Sequence, residues 1–346
     1  MKIKTILLTV ICFACTSSVS KEFTDGDFTF IKGDGSGCTL IDYSGAGGDV
    51  IIPSVATKED GSTYVVTAIG LYAFYYNSDI TSVIIPDGVL EIEMGAFYAC
   101  YSLAEVIIPN SVTTIEEEAF ASCDALASIT IPSSVTVIGE GAFRSCRALT
   151  AINVADVNIA WTSEDGVLYD RSKSLLHSYP AGKSGPSFTI PSSVTEIGDL
   201  AFYICDSLSS ITIPSSVTTI GNSAFTYCGG LTELVIPNSV TVLGEGSFSY
   251  CGGLTSITIP SSVTTIGEWA FAFCDLLRDM TVSWPTPQSV NLEGDLFMAT
   301  DLAGATLHVP PGTRALYQAH KVWGGFGAII EEGKGEGVIS QVTRLK

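Results

Sequence analysis

The chain has 346 residues, a formal net charge of −20, 34 glycines and only 15% charged residues. An apolar fraction of 46% supplies enough material for a large core and excludes a disordered chain. With 36 acidic against 16 basic residues, a nucleic-acid partner is excluded as well, because phosphate neutralisation needs clustered Lys and Arg.

Two lysines lie within Met1–Lys4, an apolar run follows from Ile6 to Ala14, and small polar residues occupy Thr16 to Ser20. That order predicts a secretory signal peptide over residues 1–20. The run is shorter than the ~20 apolar residues of a membrane-spanning helix, and no later stretch reaches that length. Ser18-Val19-Ser20 offers the small residues a signal peptidase reads, whereas Cys15 after Ala14 offers a lipid tether as the alternative. The expected location is therefore secreted or at the cell surface. Residues 21–49, with Phe28-Thr29-Phe30-Ile31 and Cys38-Thr39-Leu40-Ile41, predict an N-terminal hairpin cap. Asp25-Gly26-Asp27 and Asp34-Gly35-Ser36 complete no calcium loop and fit turns.

From there one unit is copied along the chain. Prolines 86, 109, 132, 191, 214, 237 and 260 are spaced by 23, 23, 59, 23, 23 and 23 residues, the long interval being one unit plus an insertion of 36. Pro53 opens an earlier, irregular unit. Ile precedes every one of these prolines, from Ile52 to Ile259. A Phe column runs Phe74, Phe97, Phe120, Phe143, Phe202, Phe225, Phe248 and Phe271. Three residues beyond each stands a Cys, from Cys100 to Cys274, except Asn77 in the first unit. In I-x-I both apolar residues face one side of a strand, and the proline ends it. S-V-T-x-I predicts a second short strand. A-F-x-x-C-x-x-L predicts a brief helical or 3₁₀ turn. A lone 23-residue unit cannot offset the entropy of ordering its backbone, so units must stack and share one continuous interior. The fold expected is a repeat solenoid of about eight coils, mostly short β-strands, over residues 50–283.

Leu254-Thr255-Ser256-Ile257-Thr258-Ile259-Pro260, continuing to Cys274, resembles the repeat of BspA-like leucine-rich repeat proteins, and the resemblance runs from about Val50 to Glu331. The insertion, about 154–187, looks like the irregular hairpin unit of that family, and His308 to Trp323 resembles its closing strand and helix. A C-terminal cap over 284–332 would cover the last coil, which otherwise exposes core and strand edges. Residues 333–346 look like a flexible tail. The resemblance implies a secreted or surface-attached protein; several members are adhesins that bind matrix proteins or other microbes.

Chemistry-bearing residues are few. The seven columnar cysteines and Cys38 fit buried thiols better than bridges, and the repeat has no C-x-x-C pair for zinc. His177, His308 and His320 lack a nucleophile motif, and Gly182-Lys183-Ser184 lacks the spacing of a phosphate loop. No cofactor, metal or catalytic residue is expected. Acidic residues look scattered, Glu116-Glu117-Glu118 being the densest run, and fit solubility. Two surface features remain. Thr130, Thr189, Thr212 and Thr258 must point outward between inward isoleucines, predicting a small, hydroxylated strand face. Tyr75, Tyr76, Tyr98, Tyr101, Tyr203, Tyr227 and Tyr250, with Phe273, cluster just after the columnar Phe and predict an aromatic edge suited to anchoring a partner. The function expected is a non-enzymatic binding protein, in its sharper form an adhesin for an extracellular protein or glycan. The alternatives are a hydrolase built on the inserted unit (His177, Asp165, Asp170) and a structural cell-envelope protein.

Overall fold

A computed structural model describes residues 22–33 and 35–333. The columns of the sequence become three ladders wound round an apolar interior. In the first, the I-x-I-P segments are strands that pair in parallel with copies one coil on, in four separate sheets: Ser128–Ile131 pairs with Ala151–Val154, and Ser187–Thr189 with Ser210–Thr212. Glu233–Val235, Ser256–Ile259, Asp279–Val282, Thr306–Val309 and Ala328–Glu331 form one five-stranded sheet. In the second, S-V-T-x-I contracts to two-residue strands such as Thr219–Ile220 and Thr265–Ile266, in register from coil to coil.

The third ladder replaces the helical turn expected at A-F-x-x-C. The Phe225 N–H donates to the Ser247 carbonyl of the next coil at 2.8 Å, while Thr226 and Cys228 close tight turns onto Ser223 and Phe225 within their own coil, each at 3.1 Å. Residues two before and two after the columnar Phe are left-handed, as at Ser223 (φ 51°) and Tyr227 (φ 61°). A helix would keep every N–H for itself; here alternate N–H groups are given to the neighbouring coil, and the backbone reverses hand to aim them.

Stacking makes the Phe column a pile of rings. Phe97 and Phe120 lie 5.2 Å apart at 3°, and Phe225 and Phe248 5.3 Å apart at 6°. All the columnar phenylalanines are buried, with the Val, Ile, Leu and Cys columns around them. Each columnar thiol finds a carbonyl in the preceding coil: Cys146 Sγ donates to Phe120 O, and Cys228 Sγ to Phe202 O, both at 3.0 Å. None of the eight described cysteines is in a disulfide, and all are buried.

The interior is not one continuous core, as the repeat alone suggests. Buried apolar residues fall into two clusters, one from Phe23 to Leu168 and one from Val167 to Ile329. They meet at the inserted unit, a meander of Trp161–Glu164, Val167–Asp170 and Leu175–Ser178. Val167–Asp170 is buried on both faces, so Leu168 joins the upstream core while Val167 and Tyr169 join the downstream one. Leu175–Ser178 then restarts the two-residue ladder by pairing with Glu196–Ile197.

Both ends are covered. Glu22–Asp25, Phe28–Lys32 and Gly37–Tyr43 form an antiparallel meander at one end. At the other, helix Arg314–Gln318 and the turn Trp323–Gly325 pack an aromatic plug, with Trp284 and Trp323 rings 5.9 Å apart. Tyr317 OH donates to Trp284 O at 2.9 Å, and Trp284 Nε1 to Val263 O at 2.7 Å. The expected tail and the signal peptide lie outside the described residues.

Candidate binding surface

The predicted tyrosines lie on the Phe turn in two groups. Upstream, Tyr75 meets Tyr76 at 4.5 Å and Tyr98 at 5.5 Å, and Tyr76 meets Tyr101 edge-on at 5.8 Å. Hydrogen bonding with Tyr76, then burial, pushes the Tyr101 phenol up to about 12. Downstream, Tyr203 meets Tyr227 at 5.7 Å, and Tyr227, Tyr250 and Phe273 stack at 4.4 and 4.3 Å. Tyr76, Tyr101, Tyr227 and Tyr250 are exposed; Tyr75, Tyr98, Tyr203 and Phe273 are half-buried.

Arg144, which the sequence did not single out, joins the groups. Its guanidinium lies 5.5 Å from the Tyr98 ring and 5.3 Å from the Tyr203 ring. Glu118 accepts from its Nε at 3.0 Å and from an Nη at 2.7 Å. Burial opposes the charge, but the Glu118 carboxylate more than offsets it, and Arg144 is held above its ordinary value. The signal was present: Arg144 directly follows Phe143, as Tyr75, Tyr98 and Tyr203 follow their own Phe. The stripe therefore runs unbroken past the insertion, from Tyr72 to Phe273.

The position two after Phe is left-handed in every coil, and Tyr76, Tyr227, Tyr250 and Phe273 share it with Ala99, Ser122 and Ser145. The backbone is the same with a methyl or a hydroxymethyl group there. Bulk at this position is therefore not demanded by the turn, and left-handed geometry disfavours it.

The threonine column is less uniform than expected. Thr130, Thr189 and Thr212 are exposed and Thr258 half-exposed. Yet the register also places Ile51, Ile84 and Ile107 in one outward row, and Val235 beside Thr258. Ile51 and Val235 are 69% and 68% exposed, so the face is apolar in patches rather than hydroxylated throughout. A second threonine column, after the S-V pair, is spent internally: Thr218 Oγ1 donates to Thr195 O at 3.2 Å and Thr264 Oγ1 to Thr241 O at 3.1 Å.

The residues of the hydrolase alternative are not brought together. His177 is buried, with Nε2 on Ile138 O at 3.1 Å. Asp170 is occupied by Ser172, Ser174 and the Leu175 N–H. The Asp165 carbonyl takes Lys183 Nζ. His308 pairs with Asp279 and Glu332, and His320 accepts from the Val322 N–H. Among the described residues no cluster of His, Cys, Asp or Glu is arranged to hold a metal, and no helix is long and apolar enough to cross a membrane.

A family model described as the BspA-type leucine-rich repeat region matches residues 66–163 and 181–297 in 6 copies. The chain belongs to the BspA-type leucine-rich repeat family. This BspA-type chain is similar over 92% of its length to 96% of a leucine-rich cell surface protein from Faecalibacterium prausnitzii, at 26% identity and a TM-score of 0.57. It shares its fold with the pneumococcal vaccine antigen PcpA, at 18% identity and a TM-score of 0.61 over 92% of this chain and 100% of that one. A leucine-rich repeat protein from Eubacterium ventriosum shares the fold at 24% identity and a TM-score of 0.50, over 91% and 94% of the two chains. No curated protein matches the chain.

Proposed function

We propose that this BspA-type protein is a non-enzymatic binding protein of the cell exterior, an adhesin that engages an extracellular protein or glycan through the aromatic stripe. The observation that carries this is the occupancy of the left-handed position. Ala99, Ser122 and Ser145 satisfy the turn, yet Tyr76, Tyr227, Tyr250 and Phe273 place large rings there, half-buried or exposed. Tyr combines contact area with a polar tip and loses little rotamer freedom on docking. The stripe is linear and follows the stack, so a partner would touch many coils at once. A signal peptide over 1–20 would release the chain outside the cell; in the alternative, processing before Cys15 would leave that cysteine as the point of a lipid tether.

The experiment is a binding screen of the purified chain against matrix proteins and glycans, repeated with Tyr76→Ala, Tyr227→Ala and Tyr250→Ala. Binding that falls with the variants supports the reading; binding indifferent to them, or no ligand at all, counts against it. Mass spectrometry of the native N-terminus separates cleavage after Ser20 from lipidation of Cys15.

A further inference from the structure

The aromatic plug at the C-terminal end covers the core but leaves the edge of the five-stranded sheet open. The last strand, Ala328–Glu331, pairs in parallel with Thr306–Val309 on one side, without a bulge, and has no strand on the other. Ala328 N–H donates to Ala305 O at 3.3 Å and Glu332 N–H to Val309 O at 2.9 Å, so their backbone groups face the sheet. Alternation then aims the N–H and C=O of Ile329 and Glu331 out of the sheet, and none of these groups bonds another backbone group.

The space beside this edge is free. A groove of about 520 Å³ runs along the whole strand, with Arg314 and Gln318 on its far wall. Helix Arg314–Gln318 does not lie in the plane of the sheet. Its Arg314 N–H donates at 2.9 Å to Oε1 of Glu331, whose side chain projects on the same side as buried Ile329. The opposite side carries Ile330, which is 49% exposed. Proteins blunt a free sheet edge with Lys, Pro, a bulge or a covering element. Residues 328–331 contain no Lys or Pro, and their register is regular. What is missing along them is another strand.

We propose that a second copy of this chain covers the edge, its own Ala328–Glu331 strand running antiparallel along the first. A two-fold axis at Ile330 joins Ile329 of each copy to Glu331 of the other through N–H···O=C bonds and uses every free group. It also sets the two exposed Ile330 side chains against each other as a non-hydrogen-bonded pair, the closest kind of cross-strand contact. Carboxylates stay apart, because Glu331 falls opposite Ile329 and Glu332 opposite Ala328. An axis at Glu331 would set two carboxylates face to face. An axis at Ile329 would leave Glu331 opposite Gly327, outside the partner strand. Two five-stranded sheets thus become one of ten strands, with the outward residues of both copies on one side.

The test is analytical ultracentrifugation of the full chain, with two cysteine variants cross-linked alongside. The mass should rise from one chain toward two between about 2 and about 200 µM, as a small interface requires. Ile330→Lys, on an exposed side chain, should hold it at one chain by setting two ammonium groups together. Ile330→Cys should form a disulfide-linked dimer in oxidised glutathione, since the paired Cα atoms would stand about 4.5 Å apart. Ala328→Cys, roughly 14 Å from its counterpart, should cross-link at least about tenfold more slowly. Both are measured against the native chain, whose eight described cysteines are buried. Amide exchange at Ile329 and Glu331 should slow as concentration rises. A chain that stays monomeric over this range overturns the proposal. Slow exchange at those amides would then mean that the chain's own residues cover the edge, and fast exchange that nothing does. A dimer that ignores Ile330→Lys, or cross-links as fast through Ala328→Cys, joins through another surface and overturns it too.

Discussion

His177 Nε2 donates to the Ile138 carbonyl, 3.1 Å away, across the seam between the two cores. In uninterrupted coils the equivalent carbonyl receives a backbone N–H: Ile115 O takes Gly139 N, and Ile197 O takes Gly221 N. The imidazole stands in for a peptide group displaced by the insertion. The proton belongs on Nε2, since Nδ1 is buried without a partner, with the Trp161 ring 4.9 Å away.

A pH dependence follows from that tautomer. Burial depresses the His177 pKa from 6.5 to about 4, with the Ile138 carbonyl opposing weakly; no charged group faces the ring. The unfolded chain therefore binds a proton before the folded one does. This contribution is intact above about pH 6.5 and is lost as pH falls through 4, to a total of about 3 kcal/mol. Urea unfolding of the native chain and of His177→Gln between pH 7 and pH 4 measures it. The native chain should lose more stability than the variant; equal loss would contradict the assignment.

The cysteine column is legible as a role rather than a reagent. Burial raises the Cys228 and Cys251 thiols well above the ordinary value, and each donates to a Phe carbonyl, at 3.0 and 3.1 Å. Cys228→Ala should cost about 1–2 kcal/mol, through a lost donor and a small cavity. Thiol reagents should label the native chain slowly and the unfolded chain fully. Rapid native labelling would show that the column is open.

Ile204 is left-handed at φ 61°, a conformation that a β-branched side chain resists. Ile204→Asn should raise the unfolding free energy by about 1 kcal/mol, because Asn tolerates the geometry. A loss of that size would mean that its packing outweighs the backbone strain.

The coil, its strands and its columns were legible because a 23-residue period repeats each constraint. Ile129, Val135 and Phe143 fall inside as alternation and spacing require. The turn was not legible: A-F-x-x-C has helical spacing, and nothing in one strand of sequence shows that alternate N–H groups go to a neighbour. The partition at Val167–Asp170 was hidden for a related reason, since a segment buried on both faces has no period. The tyrosines were visible as a cluster. Arg144 and its partner Glu118 were overlooked because their meaning lies between coils, where residues 23 or more apart become adjacent.

The decisive measurement takes stability and binding together on the triple variant Tyr76→Ala, Tyr227→Ala, Tyr250→Ala. If the rings serve a partner, unfolding free energy falls by less than about 3 kcal/mol, the worth of the lost ring stacking, while affinity for whatever ligand the screen returns falls at least about a hundredfold. If instead the chain unfolds, or the ligand binds the variant as tightly as before, the rings are part of the scaffold and the binding surface lies elsewhere.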